Sequence, residues 1–289
     1  MSVVVVTDSS CCLDREAVER YDIRVVPLHV ISEGRELREG VDELPEDLSK
    51  VTTSGPAPAE LTDVYARALA DSDGDGVVAV HISRQLSGTW EAAKYAADAF
   101  GGRVRLVDSR NTAMGLGFSA LAAARLAETG ASLDEVFARA VDVAEAGRAL
   151  LVVDRLDHLR RGGRIGTATA LLGTALSMKP VLHLVDGKLV LREKTRTMSK
   201  ALAKLVEAVV DQCAEVAKIA EPKVAVHHRD APERAKSLLD ELTGRLPEGT
   251  ELRMTELDAV LGAHVGPGAI GIVVSRDGQD PDRNVHAEP

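Results

Sequence analysis

The chain has 289 residues, 45% of them hydrophobic and 28% charged, which suits about two soluble globular domains at roughly 150 residues each. Only 2% are aromatic, one Trp, three Tyr and three Phe, too few rings for a base-stacking platform, so nucleic-acid binding by stacking is nearly excluded. The balance of 35 basic against 45 acidic residues gives a net charge of -10, which argues against a general polyanion binder.

No stretch approaches the roughly 18–20 apolar residues of a membrane span, so stable membrane insertion is not expected. The run Val3 to Val6 is too short for a signal peptide and no basic segment precedes it, so a cytoplasmic protein is expected. Cys11 and Cys12 are adjacent and Cys213 stands alone. That is neither a disulfide framework nor a Cys-x-x-Cys metal site, and the adjacent pair reads as two small buried or half-buried side chains.

In chain order, Val3–Val6 reads as a strand, Asp14–Tyr21 as a helix and Ile23–Val30 as a second strand. Residues 32–47 read as a turn or small hairpin, and residues 52–58 as a loop by their Gly and Pro content. Ala59–Ala70 has helical periodicity. Gly76–Ile82 reads as a strand, Ser87–Phe100 as a helix, Val104–Val107 as a strand, and residues 112–129 and 132–147 as two Ala-rich helices. Strands separated by helical runs predict βαβ units and a largely parallel sheet.

The second half mixes its elements differently. Leu150–Val153 reads as a strand, Asp157 to Arg161 as a basic helix stopped by Gly162-Gly163, and Thr167–Ser177 as a helix. Lys179–Val185 and Lys188–Glu193 bracket Asp186-Gly187, a dipeptide suited to a type I′ hairpin turn. A helix over 198–219, a strand over 223–228, a helix over 232–245 and strands over 250–257 and 269–274 complete the pattern. The expected architecture is two-domain α/β: an N-terminal parallel-sheet α/β domain over 1–149 and a C-terminal α+β domain over 150–289.

In an open parallel sheet, ligands bind beyond the carboxyl ends of the strands. The residues there are Thr7 to Ser10, Ser83 with Leu86-Ser87-Gly88-Thr89, and Asp108, Ser109 and Asn111. Each segment alone serves as a helix cap. Together, their hydroxyls and the free N–H groups of helix N-termini suit a carboxylate or phosphate. Thr53-Ser54 adds a second hydroxyl pair. Gly262-Ala263-His264-Val265-Gly266-Pro267-Gly268 frames one His in a Gly-rich backbone, from which it can donate to a bound anion. His227 and His228 are adjacent on a strand, point to opposite faces and cannot share a metal; no metal site or cofactor is expected. Arg155, Arg160, Arg161 and Arg164, with Lys194 and Arg196, form a basic cluster in an acidic chain. It reads equally as a solvated helix end or as a docking patch for phosphate or an acidic partner. The apolar stretches Ala113–Leu126 and Ala168–Leu184 read as core, although an aliphatic tunnel has the same composition.

Taken in order, Thr7-Asp8-Ser9-Ser10, Thr53-Ser54-Gly55-Pro56, Leu86-Ser87-Gly88-Thr89, Asp108-Ser109 with Met114-Gly115-Leu116-Gly117, Gly162-Gly163-Arg164-Ile165 with Lys179-Pro180, Arg196-Thr197, and the segment from Gly262 to Gly268 make the chain resemble the DegV family of bacterial fatty-acid-binding proteins over about residues 2–275. The resemblance implies a two-domain protein that buries one long-chain fatty acid between its domains. It also implies a partner, a fatty acid kinase to which the acyl carboxylate is presented for acyl-phosphate formation in phospholipid synthesis. On that likeness the fatty-acid-binding residues are Thr53, Ser54, Ser87, Gly88, Thr89 and His264, and Arg164 and Arg196 lie near the exposed carboxyl end, where the kinase docks. Ala57 and Glu91-Ala92 depart from the pattern, since many relatives have Ser, or Ser and Gln, there. A chain of about sixteen carbons buried whole gains roughly 0.8 kcal/mol per CH₂, on the order of 10 kcal/mol before the costs of binding.

The competing reading is an esterase-like serine hydrolase with Ser87 as nucleophile, His264 as base and Asp8 as orienter. No Gly-x-Ser-x-Gly elbow surrounds Ser87. No Walker-type or dinucleotide glycine loop follows a strand, so the chain is not expected to be a kinase by itself. A non-enzymatic carrier is the expectation.

Overall fold

The computed structural model describes residues 2–165 and 178–277; the helix expected over Thr167–Ser177 lies outside the described residues. The chain opens with β1 (Val4–Asp8), α1 (Arg15–Arg20) and β2 (Arg24–Val26), then a hairpin of β3 (His29–Ser32) and β4 (Arg35–Arg38), and β5 (Thr52–Ser54). Next come α2 (Pro58–Asp71), β6 (Val77–His81), α3 (Thr89–Asp98), β7 (Val104–Asp108), α4 (Met114–Ala127) and α5 (Leu133–Ala146). β8 (Arg148–Val152), α6 (Asp157–Arg161), β9 (Lys179–Val185), β10 (Lys188–Thr195) and α7 (Met198–Val216) follow. The described chain ends through β11 (Pro222–His228), α8 (Pro232–Thr243), β12 (Glu251–Glu256), α9 (Ala259–Val265) and β13 (Ile270–Arg276).

A parallel four-stranded sheet, ordered β2-β1-β6-β7, draws its strands from residues up to 108. Its central strands are apolar over Val4–Val6 and Val77–Val80 because helices cover both faces. Val4, Val6, Val77 and Ala79 pack on α2 and α3 through Leu61, Tyr65, Ala93 and Ala96, while Val3, Val5, Val78 and Val80 face α4 and α5. A six-stranded sheet, ordered β10-β9-β8-β13-β11-β12, draws every strand from residue 148 onward and is antiparallel except for the β11–β12 pair. Its outer face is covered by α7 and α8, and its inner face meets the same α4–α5 layer. One helical layer therefore serves both sheets. The turn of the β9–β10 hairpin is Asp186-Gly187, with φ of 48° and 78°, the two positive values that a type I′ turn needs.

A third sheet, β4-β3-β5, stands apart from the two that the strand pattern predicts. Ile23–Val30 is not one strand. Pro27 has no N–H to give the ladder, so β2 ends at Val26 and the chain restarts at His29 in a different sheet, with Leu28 N–H donating to Ser9 Oγ at 3.0 Å. Thr52–Ser54, expected in a loop, pairs antiparallel with β3. This small sheet packs on α9, where Leu28, Val30, Leu48 and Val51 meet Val260 and Ala263. The α9 helix itself replaces the irregular Gly-rich backbone expected there. It stops at Gly266, whose φ of 73° suits glycine.

Cys11, Cys12 and Cys213 are buried and free, and burial pushes the Cys11 and Cys213 thiols up to about 12. Among the described residues no helix is long and apolar enough to cross a membrane.

The shared helical layer depends on close approach. Gly117 in α4 lies against the chain at Cys11, and a Cβ there would run into the Cys11 carbonyl oxygen. Gly117→Ala is therefore expected to lower the unfolding free energy in urea by about 2 kcal/mol, although the same change in an open helix interior gains roughly 1 kcal/mol.

Candidate functional site

Between the two large sheets lies a cavity of about 1060 Å³, counting its open mouth. Its walls come from both halves of the chain: Leu28, Ile82 and Leu86 from the first, Leu151, Leu184, Leu189 and Val273 from the second. The polar residues are few. Thr53, Ser54, Ser87, Thr112, Arg164, His227 and His264 are the side chains with polar atoms among its lining. A mostly aliphatic wall with a few convergent polar groups is the usual form of a small-molecule site.

Thr53 is the middle residue of β5, paired with Val30, and its Oγ1 lies 2.8 Å from His264 Nε2. His264 sits in the last turn of α9, with its Nδ1 side pressed on Gly162, the C-cap of α6. A Cβ at that glycine would occupy the place of Nδ1. The helix is held by Glu39, whose Oε1 accepts from Val260 N–H at 2.7 Å while Oε2 accepts from Ser9 Oγ at 2.6 Å. Burial raises Glu39 to about 7, against the lowering effect of those two donors. Burial, with help from the charges of Arg164 and Arg161, lowers His264 to about 4, so the imidazole is neutral at pH 7. Nδ1 has no hydrogen-bond partner. An unmatched lone pair costs less than an unmatched N–H. The hydrogen therefore belongs on Nε2, which donates to Thr53 Oγ1 and leaves the Thr53 hydroxyl hydrogen free to donate into the cavity.

The second donor segment is the loop between β6 and α3. Ser87 Oγ is 2.9 Å from Thr89 Oγ1 and accepts from Thr89 N–H at 3.3 Å. Gly55 presses on Thr89, since a Cβ there would lie 2.6 Å from Thr89 Oγ1, and this contact carries the Thr53 strand to the Ser87 loop. Gly88 is the N-cap of α3 and faces open space. The loop is pinned from several sides. Ser83 Oγ donates to Gly187 O at 2.9 Å at the tip of the β9–β10 hairpin, and Arg164 Nε donates to Leu86 O at 2.9 Å.

Of the residues singled out from sequence, Thr53, Ser54, Ser87, Gly88 and His264 all line the cavity. Thr89 does not. It is fully buried behind Ser87 and acts on it from the rear. Ser54 Oγ already donates to Glu36 Oε1 at 3.0 Å. Arg164 lines the cavity itself, whereas Arg196 does not. Thr195 Oγ1 donates to Lys179 O and Thr197 caps α7, which leaves Arg196 exposed in a separate surface depression beside Lys194 and Lys200. His227, set aside from sequence because its neighbour faces the other way, turns inward. Its Nε2 accepts from Met114 N–H at 3.4 Å, and burial lowers it to about 3. A strand buried on both faces gives no periodic signal to say which His is inside.

The hydrolase constellation is not assembled. Asp8 is fully buried and bonds His81, not His264: Oδ2 accepts from His81 Nδ1 at 3.0 Å and Ile82 N–H at 2.8 Å, and Oδ1 from Ser10 Oγ at 2.5 Å. His81 Nε2 in turn meets Tyr65 OH at 2.7 Å. Ser87 bonds Thr89 and His264 bonds Thr53. The nucleophile, base and orienter of the alternative reading thus have three different partners.

A family model described as "Uncharacterised protein, DegV family" matches residues 2–277. A DegV domain-containing protein of Mycobacterium tuberculosis is 47% identical over 283 residues, covering 97% of this chain and 100% of its own. Among solved structures, a DegV family protein from Thermus thermophilus described for its fatty acid binding is 33% identical with a TM-score of 0.86, covering 96% of this chain and 100% of that one. DegV of Bacillus subtilis, described as a fatty acid binding protein, is 32% identical with a TM-score of 0.84, covering 96% and 99%.

Because His264 is lowered from its ordinary 6.5 to about 4, the unfolded chain binds its proton first. The stability it contributes is complete above pH 6.5 and is lost as pH falls toward 4, by up to about 3 kcal/mol. His227 acts in the same direction and Glu39 in the opposite one, so the comparison is between variants. The acid-side loss in urea-unfolding free energy is expected to be smaller in His264→Gln than in the unsubstituted protein.

Proposed function

The chain belongs to the DegV family, and on that premise we propose that it is a fatty acid carrier rather than an enzyme. One long-chain fatty acid lies between an N-terminal lobe of residues 1–149 and a C-terminal lobe of residues 150–289. Its carboxylate rests on the Thr53 and Ser87 hydroxyls, with His264 behind Thr53, and the protein presents it to a cytoplasmic fatty acid kinase that forms acyl-phosphate for phospholipid synthesis. No cofactor is needed beyond the bound acid.

The observation that carries this reading is the Thr53–His264 pair and Ser87 opening into one aliphatic cavity. A tail of methylenes supplies the affinity, roughly 0.8 kcal/mol for each CH₂ taken from water. A carboxylate entering a poorly hydrated site must meet donors or take up a proton. The Thr53 and Ser87 hydroxyls supply donors without a second full charge. Arg164 holds a cation near them while its Nε is engaged with Leu86 O. The fatty-acid-binding descriptions of the Thermus thermophilus and Bacillus subtilis structures support the ligand class. The exposed Arg196, beside Lys194 and Lys200, offers a basic surface to an acidic partner. Arg164 and Arg196 are the residues proposed to meet the kinase.

Mass spectrometry of purified, denatured protein is expected to show a co-purified long-chain fatty acid; an empty cavity, or a sugar or nucleotide in its place, would overturn the carrier reading. Thr53→Ala and Ser87→Ala should each weaken fatty acid binding by about 1–3 kcal/mol, the range for a hydrogen bond to a charged group, and titration of the delipidated variants measures it.

Arg164→Ala and Arg196→Ala are expected to keep their fatty acid yet slow acyl-phosphate formation with a cognate kinase. Loss of the lipid from Arg164→Ala would instead assign that side chain to the carboxylate.

A further inference from the structure

Gly271 stands in the middle of β13, between β8 and β11 in the interior of the six-stranded sheet. Its neighbours Ile270, Ile272 and Val274 are fully buried against the outer helices. Gly271 itself is on the inner face, partly open, and lines the cavity. Glycine at such a place weakens a strand and marks a bulge, a bend or the close approach of another group. The ladder is continuous through it, with Gly271 opposite Leu151 on one side and His227 on the other, so there is no bulge. Its φ is not among the positive values of the chain, so no backbone conformation requires it. Nor does packing exclude a side chain. A Cβ there would meet His227 Cβ and Leu150 O at 3.6 Å each, which is ordinary contact. What a larger side chain would fill is the cavity.

The position along the strand says which part of a ligand it meets. His264 packs on Gly162, the C-cap of α6; α6 follows β8, whose last residue Val152 pairs with Ile270, the first of β13, so the His264 end of the cavity lies at the start of β13. The next inward row of the sheet, Val273 opposite Ala149, also lines the cavity and lies roughly 7 Å further along the strand. A chain running from the polar end to that row passes over Gly271, in the gap between Leu151 and His227.

Resting on the fatty-acid reading above, we propose that Gly271 is the specificity-determining residue for acyl length: its missing side chain is the gap through which the acyl chain continues to the deeper row. The experiment measures affinities of the delipidated protein for straight-chain acids from hexanoate to stearate. In the unsubstituted protein affinity rises with length. In Gly271→Val the rise should stop at a shorter acid, palmitate affinity should fall about tenfold or more, and acids too short to reach the gap should bind as before. Gly271→Ala, whose methyl fits at 3.6 Å, serves if the valine variant does not fold. Its palmitate affinity should fall about fourfold, the value of one methylene, with the shortest acids unaffected. A length profile unchanged in either folded variant overturns the assignment, as does an equal loss for every acid in the series. If the unsubstituted protein binds none of the acids, the fatty-acid reading itself fails.

Discussion

The hydrogen bond between Thr53 and His264 joins residues 211 positions apart at 2.8 Å, and the site exists only where that join is made. Neither partner is placed by its own neighbours. Thr53 is on a three-residue strand that has no core of its own and gains one by packing on α9. His264 is on a seven-residue helix, far too short to be stable alone. Three supports compensate: the Glu39 carboxyl group on Val260 N–H, the apolar contact of Val260 and Ala263 with Leu28, Val30, Leu48 and Val51, and the bare face of Gly162 against the imidazole. The first and last parts of the chain must therefore be folded together before a ligand can meet the donors.

The same constraint explains the charge arrangement. A protonated His264 would be a buried cation beside Arg164, and both burial and that arginine work against it. A neutral ring can donate through Nε2 and leave the Thr53 hydroxyl oriented. Behind the loop that carries Ser87, the buried Asp8–His81–Tyr65 ladder does comparable work. Asp8 accepts from Ile82 N–H where the chain leaves β6, and burial and the nearby Asp8 charge push the Tyr65 phenol up, so it remains a hydrogen donor to His81. A group of residue types that suits a catalytic triad in sequence is divided in space into one structural clamp and one pair that lines the cavity.

Much of the fold was legible because its strands are short, β-branched and separated by helical periods. Val3–Val6 and Gly76–Ile82 need no tertiary information to be read, and Asp186-Gly187 announces its hairpin through the backbone angles it permits. What escaped depended on partners distant in sequence. Thr52–Ser54 is a strand only because β3 lies beside it. Pro27 divides what hydropathy joins. Ala259–Val265 is a helix despite Gly262, whose bare α-carbon lets the Arg229 and Leu48 side chains pack close. In the site, residue type located Thr53, Ser87 and His264, but not the direction of neighbouring hydroxyls. Thr89 turns into the core and Ser54 toward Glu36, distinctions set by alternation and capping. Arg164 and Arg196 look alike in a basic cluster. The carbonyl of Leu86 draws one to the cavity, while the turn into α7 holds the other outside.

On the carrier reading, the division between head and tail follows from what each must do. Aliphatic contact is additive in length and indifferent to the state of the carboxyl group, so the tail can hold the ligand before, during and after phosphorylation. The head donors only need to orient the carboxylate, and strong fixed charges on every side would make its conversion costly. Thr53, oriented by a neutral His264, and Ser87 meet that need with hydroxyl hydrogen bonds that a water or a phosphoryl oxygen can also accept. Selectivity then has to come from the shape of the apolar floor, where glycine in a central strand sacrifices backbone stability for space.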